Sequence, residues 1–107
     1  MSDAFQDREN TFEKQFVNDE TMRFKAIARR NKAVAIWVAE MVGLKRDDAD
    51  HYAKEFVGTH IGKSDDDIAA AFRVDLARAN VDVSDHRLRK RMNEEMAAAL
   101  TTVRAGK

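Results

Sequence analysis

The sequence predicts an all-α fold class, a compact four-helix bundle with a flexible, partly helical N-terminal arm. Apolar residues recur at steps of three and four in four separate stretches, which is typical of helices with one buried face. The 107 residues contain no proline, and only short polar segments separate these stretches. Short connections of this kind favour a helical bundle. A chain of this length forms one domain that buries about two-thirds of its unfolded surface.

The first bundle helix is predicted over about residues 20–42, and we expect the other helices to pack around it. Its apolar stripe consists of Phe24, Ile27, Val34, Val38 and Met41, with Asn31 completing the series. We interpret Asn31 as a residue that hydrogen-bonds or fixes the register of packing. Gly43 can adopt the left-handed conformation that ends a helix, and Leu44 can then fold back in a Schellman motif.

Three further helices are predicted over about residues 47–60, 65–79 and 84–105. Asp47, Ser64 and Ser84 are the candidate N-caps of these helices, because their side chains can accept from a free backbone N–H. Asn80 is a tolerable residue at the end of the third helix. The predicted buried faces comprise Ala49, Tyr52, Ala53, Phe56 and Val57, then Ile68, Phe72, Leu76 and Ala79, then Leu88, Met92, Met96, Ala99, Leu100 and Val103.

Residues 1–19 differ from the rest of the chain and are predicted to form a mobile arm, with residues 20–107 as the bundle. The first twenty residues carry six acidic and two basic side chains, a net charge of −4. Phe5, Phe12 and Phe16 fall at helical spacing, but several neighbouring residues have low helix propensity. We therefore expect a frayed or disordered segment that becomes helical against a partner.

The phase of these three phenylalanines leaves two interpretations open. At about 100° per residue, they lie roughly 80–120° around the helix from Phe24, so their stripe does not continue onto the bundle face. In one interpretation they fold back and cap the core, where most aromatic residues are found. In the other they enter a groove on another protein. The phase difference and the low helix propensity favour the external groove.

Composition and motifs disfavour several classes of function. Without cysteine the chain has no thiol nucleophile, disulfide scaffold or thiolate metal site. We find no Gly-rich phosphate loop and no assembly of nucleophile, base and oxyanion donor, so we expect no enzyme and no cofactor. His60 with Asp65 to Asp67 is a conceivable metal site, but those aspartates suit a helix N-terminus better, and we expect no metal. No apolar run reaches the roughly 18 residues of a membrane span.

Two basic clusters stand out in a chain whose 19 basic and 19 acidic side chains balance. The first comprises Arg23, Lys25, Arg29, Arg30 and Lys32. It is open to three interpretations: a solvated face, a docking site for a partner, or a nucleic-acid site, which the lack of interleaved aromatic residues disfavours. The second comprises Arg87, Arg89, Lys90 and Arg91. It lies in the first turns of a helix, where the macrodipole disfavours cations, so we expect compensation by Asp65 to Asp67 or by a partner.

One block of residues stands at fixed intervals between positions 5 and 40: Phe5, Asp7-Arg8-Glu9, Phe12-Glu13, Phe16, Asp19-Glu20, Phe24-Lys25, Ala28-Arg29-Arg30-Asn31-Lys32 and Trp37-Val38-Ala39-Glu40. This block closely resembles the zeta subunit family, inhibitors of the F-type ATP synthase in alphaproteobacteria. Tyr52-Ala53-Lys54 and the segment 81–92 also fit, so the resemblance covers essentially the full length. Ala35-Ile36 stands where Gly-Leu is common in the family, a difference that concerns packing.

The resemblance implies an inhibitory regulatory subunit whose arm inserts at a catalytic alpha/beta interface of the synthase head, next to the gamma subunit. There it would block rotation in the direction of ATP hydrolysis and largely spare synthesis. The implied partner-binding residues are Phe5, Asp7, Arg8, Glu9, Phe12, Glu13 and Phe16, with Phe24 at the bundle boundary, and we add Arg29 and Arg30.

The expected partners are the alpha, beta and gamma subunits of the head, with no nucleic acid and no direct membrane insertion. We expect the free protein to be monomeric and cytoplasmic, and peripheral to the inner membrane through the synthase head. The alternative function is a small helical nucleic-acid-binding regulator that uses Arg29 and Arg30.

Overall fold

The computed structural model describes the backbone of residues 2–106 and the side chains of residues 20–106. Its four helices are α1 (Ser2–Met41), α2 (Arg46–Thr59), α3 (Asp65–Arg78) and α4 (Asp85–Arg104). Residues 2–106 contain no strand, and the predicted all-α bundle is confirmed. The last three helices agree with their predicted bounds to within one residue at each end, whereas α1 begins ahead of the predicted start near residue 20.

The proposed division into an arm of residues 1–19 and a bundle of residues 20–107 stays a prediction. The helix bounds do not test whether the first segment is frayed or disordered in the free protein. The two interpretations of its phenylalanines also stay open, because those side chains lie outside the described residues. Among the described residues, no helix combines the length and the hydropathy that crossing a membrane requires.

α1 is the central helix, as predicted, because it packs against each of the other three and most extensively against α2 and α4. The main core combines side chains from all four helices: Val34, Ala35, Val38, Ala53, Phe56, Ile68, Ala69, Phe72, Leu76, Leu88 and Met92. The rings of Phe56 in α2 and Phe72 in α3 stack with their centroids 3.9 Å apart. Burying a side chain of this size stabilises the fold by about 1.5–3 kcal/mol.

A second, smaller core cluster contains residues of α1 and α4 only. Its members are Ala26, Ala99 and Val103, with Met22, Met96 and Leu100 packed against them. In this part of the described bundle, the apolar side chains that pack against α1 therefore belong to α4. Phe24, predicted to belong to the buried stripe, is 62% exposed. The phase of the stripe is nevertheless correct, because Val34 and Val38 are fully buried where all the helices are present.

The helix ends largely follow their local sequence signals. Gly43 has φ +90°, and the Leu44 N–H donates to the Ala39 carbonyl at 2.9 Å, which forms the predicted Schellman motif. Asn80 has φ +58° and follows α3, as predicted.

The N-caps of α3 and α4 are also as predicted. Ser64 and Ser84 each accept a hydrogen bond from the backbone N–H three residues later, at 3.1 Å. The assignment of Asp47 as the N-cap of α2 is wrong, since Lys45 holds that position and makes no side-chain cap. Asp47 lies in the first turn instead, where its charge still interacts favourably with the helix dipole.

Candidate functional site

The ten residues predicted to bind partners fall into two groups. Seven of them precede the described side chains, and their roles stay predictions: Phe5, Asp7, Arg8, Glu9, Phe12, Glu13 and Phe16. The other three are Phe24, Arg29 and Arg30, which lie within two turns of α1. These three occupy very different environments.

Arg30 is buried within the bundle, with only 3% of its surface exposed. Its Nε and Nη2 atoms donate to Oδ1 of Asn31 at 3.1 and 3.0 Å, and its Nη1 donates to Oδ1 of Asp65 at 2.8 Å. Asn31 is 4% exposed, so its predicted role in hydrogen bonding is confirmed. Arg30 is therefore not part of a solvated face, which was one of the three interpretations of the first basic cluster. Its guanidinium instead ties α1 to the first turn of α3 and leaves little surface for a partner.

The acidic first turn of α3 receives a second arginine from α4. Arg89 donates through Nη1 to Oδ1 of Asp66 at 2.8 Å and through Nε to Oδ1 of Asp85 at 3.4 Å. The hydrogen bond to Asp66 raises the pKa of the Arg89 guanidinium above its ordinary value. Of the two expected compensations for the second basic cluster, the structure therefore contains the one by the α3 aspartates. No group of three or more metal-ligating side chains occurs among the described residues.

Two other arginines of the second basic cluster lie against Trp37 of α1. The guanidinium carbons of Arg87 and Arg91 are 5.7 and 5.4 Å from the ring centroid, within the range of cation–π contacts. Arg91 Nε is also 3.3 Å from Oε1 of Glu95, an ion pair without hydrogen-bond geometry. This α1–α4 contact was missed in the sequence, although arginines four residues apart share one face of a helix.

The outward face of α1 holds two grooves. The groove between α1 and α4 has a volume of about 270 Å³ and is lined by Arg29, Lys32, Ala33, Ile36, Glu95, Ala98, Ala99 and Thr102. The groove between α1 and α2 has a volume of about 280 Å³ and is lined by Ala28, Arg29, Lys32, Lys54 and Val57. Arg29 and Lys32 belong to both linings, so they form a ridge between the grooves, which we call the α1 ridge. The sequence did not predict these grooves, because they depend on how the helices are placed against each other.

Phe24 presents an exposed ring near one end of the groove between α1 and α2. It lies four residues before Ala28 and therefore on the same side of α1, one turn away. Ile61 and Val74 are other large apolar residues at the surface, with 65% and 49% exposed. Single exposed apolar residues are common in soluble proteins.

Tyr52 connects α2 to α3 on the other side of the bundle. Its hydroxyl donates to Oδ2 of Asp75 at 2.7 Å. Burial, followed by the hydrogen bond to Asp75, raises the pKa of Tyr52 well above its ordinary value. The hydroxyl acts as a donor that stabilises the contact between the two helices.

Comparison with known proteins identifies the family of this chain. The model of the family described as ATPase inhibitor subunit zeta matches residues 1–102. The match includes α1, α2, α3 and most of α4. No curated protein matches the chain at a significant level. Because the family match covers nearly all of the 107 residues, this chain belongs to the ATPase inhibitor subunit zeta family.

Proposed function

We propose that this protein is a regulatory subunit of the F-type ATP synthase that inhibits ATP hydrolysis. Residues 1–19 insert at a catalytic alpha/beta interface of the head, next to the gamma subunit, and block rotation in the direction of hydrolysis. The observation that carries this proposal is the match to an ATPase inhibitor family, which begins at residue 1 and so includes the predicted arm. The protein is then peripheral to the membrane, attached through the synthase head.

The packing of α1 supports this proposal, because it supplies a firm base for an inserted segment. α1 is a single helix from Ser2 to Met41, and the part that follows the predicted arm packs one face against the other helices. The Arg30 contact with Asp65 fixes this base to α3. The stack of two arginines on Trp37 fixes it to α4. A force on the N-terminal end of α1 would therefore be resisted by the whole bundle.

The energetics require more than the insertion of three phenylalanines. Burying Phe5, Phe12 and Phe16 yields roughly 5–9 kcal/mol at about 1.5–3 kcal/mol each. Ordering residues 1–19 on binding, if they are disordered in the free protein as predicted, costs about 2–5 kcal/mol or more, and association carries further losses. The surplus is small. Tight inhibition therefore needs ion pairs from Arg8 and its acidic neighbours, or a second contact made by the bundle.

The alternative function is nucleic-acid binding through Arg29 and Arg30, and the burial of Arg30 disfavours it. Arg30 is 3% exposed and donates to Asn31 and Asp65, so a phosphate group cannot reach its guanidinium without disrupting the bundle. The second basic cluster is also engaged, since three of its arginines contact Trp37, Asp66 and Asp85. We therefore advance inhibition as the single proposed function.

The decisive experiment measures ATP hydrolysis by a closely related synthase head with the full-length protein added at increasing concentration. A variant with Phe5→Ala, Phe12→Ala and Phe16→Ala is expected to need at least a hundredfold higher concentration for half-inhibition, because most of the inserted apolar surface is lost. A control with Ile61→Ala removes an exposed apolar side chain from the bundle and is expected to inhibit like the wild type.

Urea unfolding of the same variants separates inhibition from folding. The triple variant is expected to unfold at the wild-type midpoint, because the proposal places its three rings in the partner and not in the core of the bundle. A large drop in that midpoint would mean that the rings cap the core, and the proposed role of the arm would be wrong. Wild-type inhibition by a fully stable triple variant would equally contradict insertion of the aromatic side chains.

A further inference from the structure

The α1 ridge and its two grooves lie on the bundle, outside the residues 1–19 that the proposed function inserts into the synthase head. We infer that they form a second docking surface, whose occupant is an acidic, amphipathic helical segment of the partner protein. This inference rests on the proposed function and deepens it, because it supplies the additional contact that the energetics of insertion require.

The shape of the surface suits the apolar face of a helix. The lining of the groove between α1 and α4 includes four small or aliphatic side chains, namely Ala33, Ile36, Ala98 and Ala99. The groove between α1 and α2 is bounded by Ala28 and Val57. Small residues at these positions leave room for aliphatic side chains of a partner, which would enter the grooves on either side of the ridge. Packing of an apolar helix face into a groove is a common mode of recognition.

The charge of the surface selects an acidic occupant. Arg29 and Lys32 are three residues apart on one face of α1, and both are exposed. Carboxylates on a partner helix can reach the exposed ammonium group of Lys32. The one carboxylate in the lining of the α1–α4 groove, Glu95, lies 3.3 Å from Arg91, and its side chain is only 23% exposed. On the other side Lys54 adds a further cation, with Asp50 at 3.1 Å. The linings of the two grooves therefore contain three cationic side chains and one carboxylate.

The surface is continuous with the predicted boundary of the arm. Phe24 is 62% exposed and lies one turn of α1 before Ala28, which lines the groove between α1 and α2. A partner that holds residues 1–19 would meet Phe24 next and then the ridge along the same helix. The docking surface thus extends the proposed interface without any change in the bundle.

Two pairs of full-length variants test the inference with the hydrolysis assay. Lys32→Glu reverses a charge of the ridge, and its control Lys63→Glu reverses an exposed charge outside both grooves. Ala98→Trp fills the groove between α1 and α4, and its control Ala97→Trp places the same ring on the neighbouring exposed residue outside the lining. Binding to the synthase head is measured in the same samples by sedimentation.

Lys32→Glu and Ala98→Trp are each expected to raise the half-inhibitory concentration about tenfold, which corresponds to about 1.4 kcal/mol. Maximal inhibition is expected to stay at the wild-type level, because residues 1–19 are intact. The effect of Lys32→Glu is expected to shrink as salt is added, since exposed charges are screened. Both controls are expected to inhibit like the wild type.

Each other outcome is informative. If all four variants inhibit like the wild type, the docking surface is wrong and the proposed function stands. If only Ala98→Trp weakens inhibition, the occupant is apolar and not acidic, and the inference is wrong. If Ala98→Trp makes the protein a stronger inhibitor, the groove holds the acidic residues 1–19 of its own chain, which also overturns the inference. If the wild type binds without inhibiting, the proposed function fails, and the binding data alone decide the docking surface. If it neither binds nor inhibits, both fail.

Discussion

The buried cluster of Arg30, Asn31 and Asp65 allows a quantitative prediction about the stability of the bundle. Arg30→Met removes three hydrogen bonds that join α1 internally and to α3. Methionine has a similar length and can fill irregular space, so the substitution mainly removes the charge and the donors. The important consequence concerns Asn31, which is 4% exposed and whose Oδ1 loses both of the donors that Arg30 supplied.

The expected cost follows from the exposure of each partner. A buried acceptor left without a donor costs about 1–3 kcal/mol. The ion pair with Asp65 adds at most about 1 kcal/mol, because the Asp65 side chain is 63% exposed and water screens the interaction. The substitution also removes the desolvation cost of the buried guanidinium, and this gain offsets part of the loss. We expect Arg30→Met to lower the free energy of unfolding by about 2 kcal/mol, a large part of the roughly 5–15 kcal/mol that domains possess.

Adding Asn31→Leu to Arg30→Met provides the critical comparison. Replacing both buried partners with apolar side chains removes the unsatisfied acceptor, and such double replacements are often nearly neutral. The double variant is therefore expected to be more stable than Arg30→Met alone. Urea unfolding of the full-length protein, followed by circular dichroism, measures all three free energies. Lys32→Met, on the exposed side of the same helix, is the control and is expected to change the stability by less than about 0.5 kcal/mol.

Two results would refute this reasoning. A loss below about 0.5 kcal/mol for Arg30→Met would mean that the Asn31 acceptor finds another donor or water. A double variant less stable than Arg30→Met would mean that Asn31 stabilises the bundle through contacts other than those with Arg30.

Two further predictions concern Tyr52 and the glycines. Because folding raises the pKa of Tyr52, the stabilisation from its hydroxyl is fully present below the unfolded-state pKa of about 10 and is lost as the pH rises toward the higher folded-state pKa. At pH 7 the wild type is expected to be more stable than Tyr52→Phe by about 1 kcal/mol. At pH 11 this difference is expected to be smaller by about 1 kcal/mol, after allowing for solvent screening. Urea unfolding at both pH values measures the difference, and a constant value would contradict the prediction. Gly43→Ala is expected to destabilise the bundle by about 1 kcal/mol, because φ is +90° there, whereas Gly58→Ala inside α2 is expected to stabilise it by about 0.5–1 kcal/mol. Thermal unfolding measures the stability of both variants, and a change in the same direction for the two would contradict the prediction.

Features that depend on residues close in sequence could be predicted from the sequence. The Schellman motif at Gly43 and the caps at Ser64 and Ser84 each involve atoms within five residues of one another. The predicted N-cap of α2 was wrong because several aspartates follow one another there. Each of them interacts favourably with the helix dipole anywhere in the first turn, so the sequence does not single out one of them. α2 begins one residue earlier than Asp47, behind Lys45, without any side-chain cap.

The surroundings of Phe24 and Arg30 could not be predicted, because they depend on where distant helices begin and end. The apolar stripe has the right phase, yet at the level of Phe24 the described apolar cover comes from α4 alone, so the ring is exposed. Arg30 donates a hydrogen bond to Asp65, which lies 35 residues later in the sequence. A charge beside an apolar stripe is usually solvated, so nothing local distinguished the buried Arg30 from the exposed Arg29.

The shared helix has a consequence for how inhibition by this family member should be interpreted. α1 carries both the predicted arm and the buried contacts of Arg30, so a loosened bundle would change the base from which the arm acts. Even a protein with only about 5 kcal/mol of stability would remain more than about 99% folded after Arg30→Met removes about 2 kcal/mol. Weaker inhibition by that variant would then come from a less firmly held α1 and not from unfolding. Unchanged inhibition would show that the arm acts independently of how tightly its base is held.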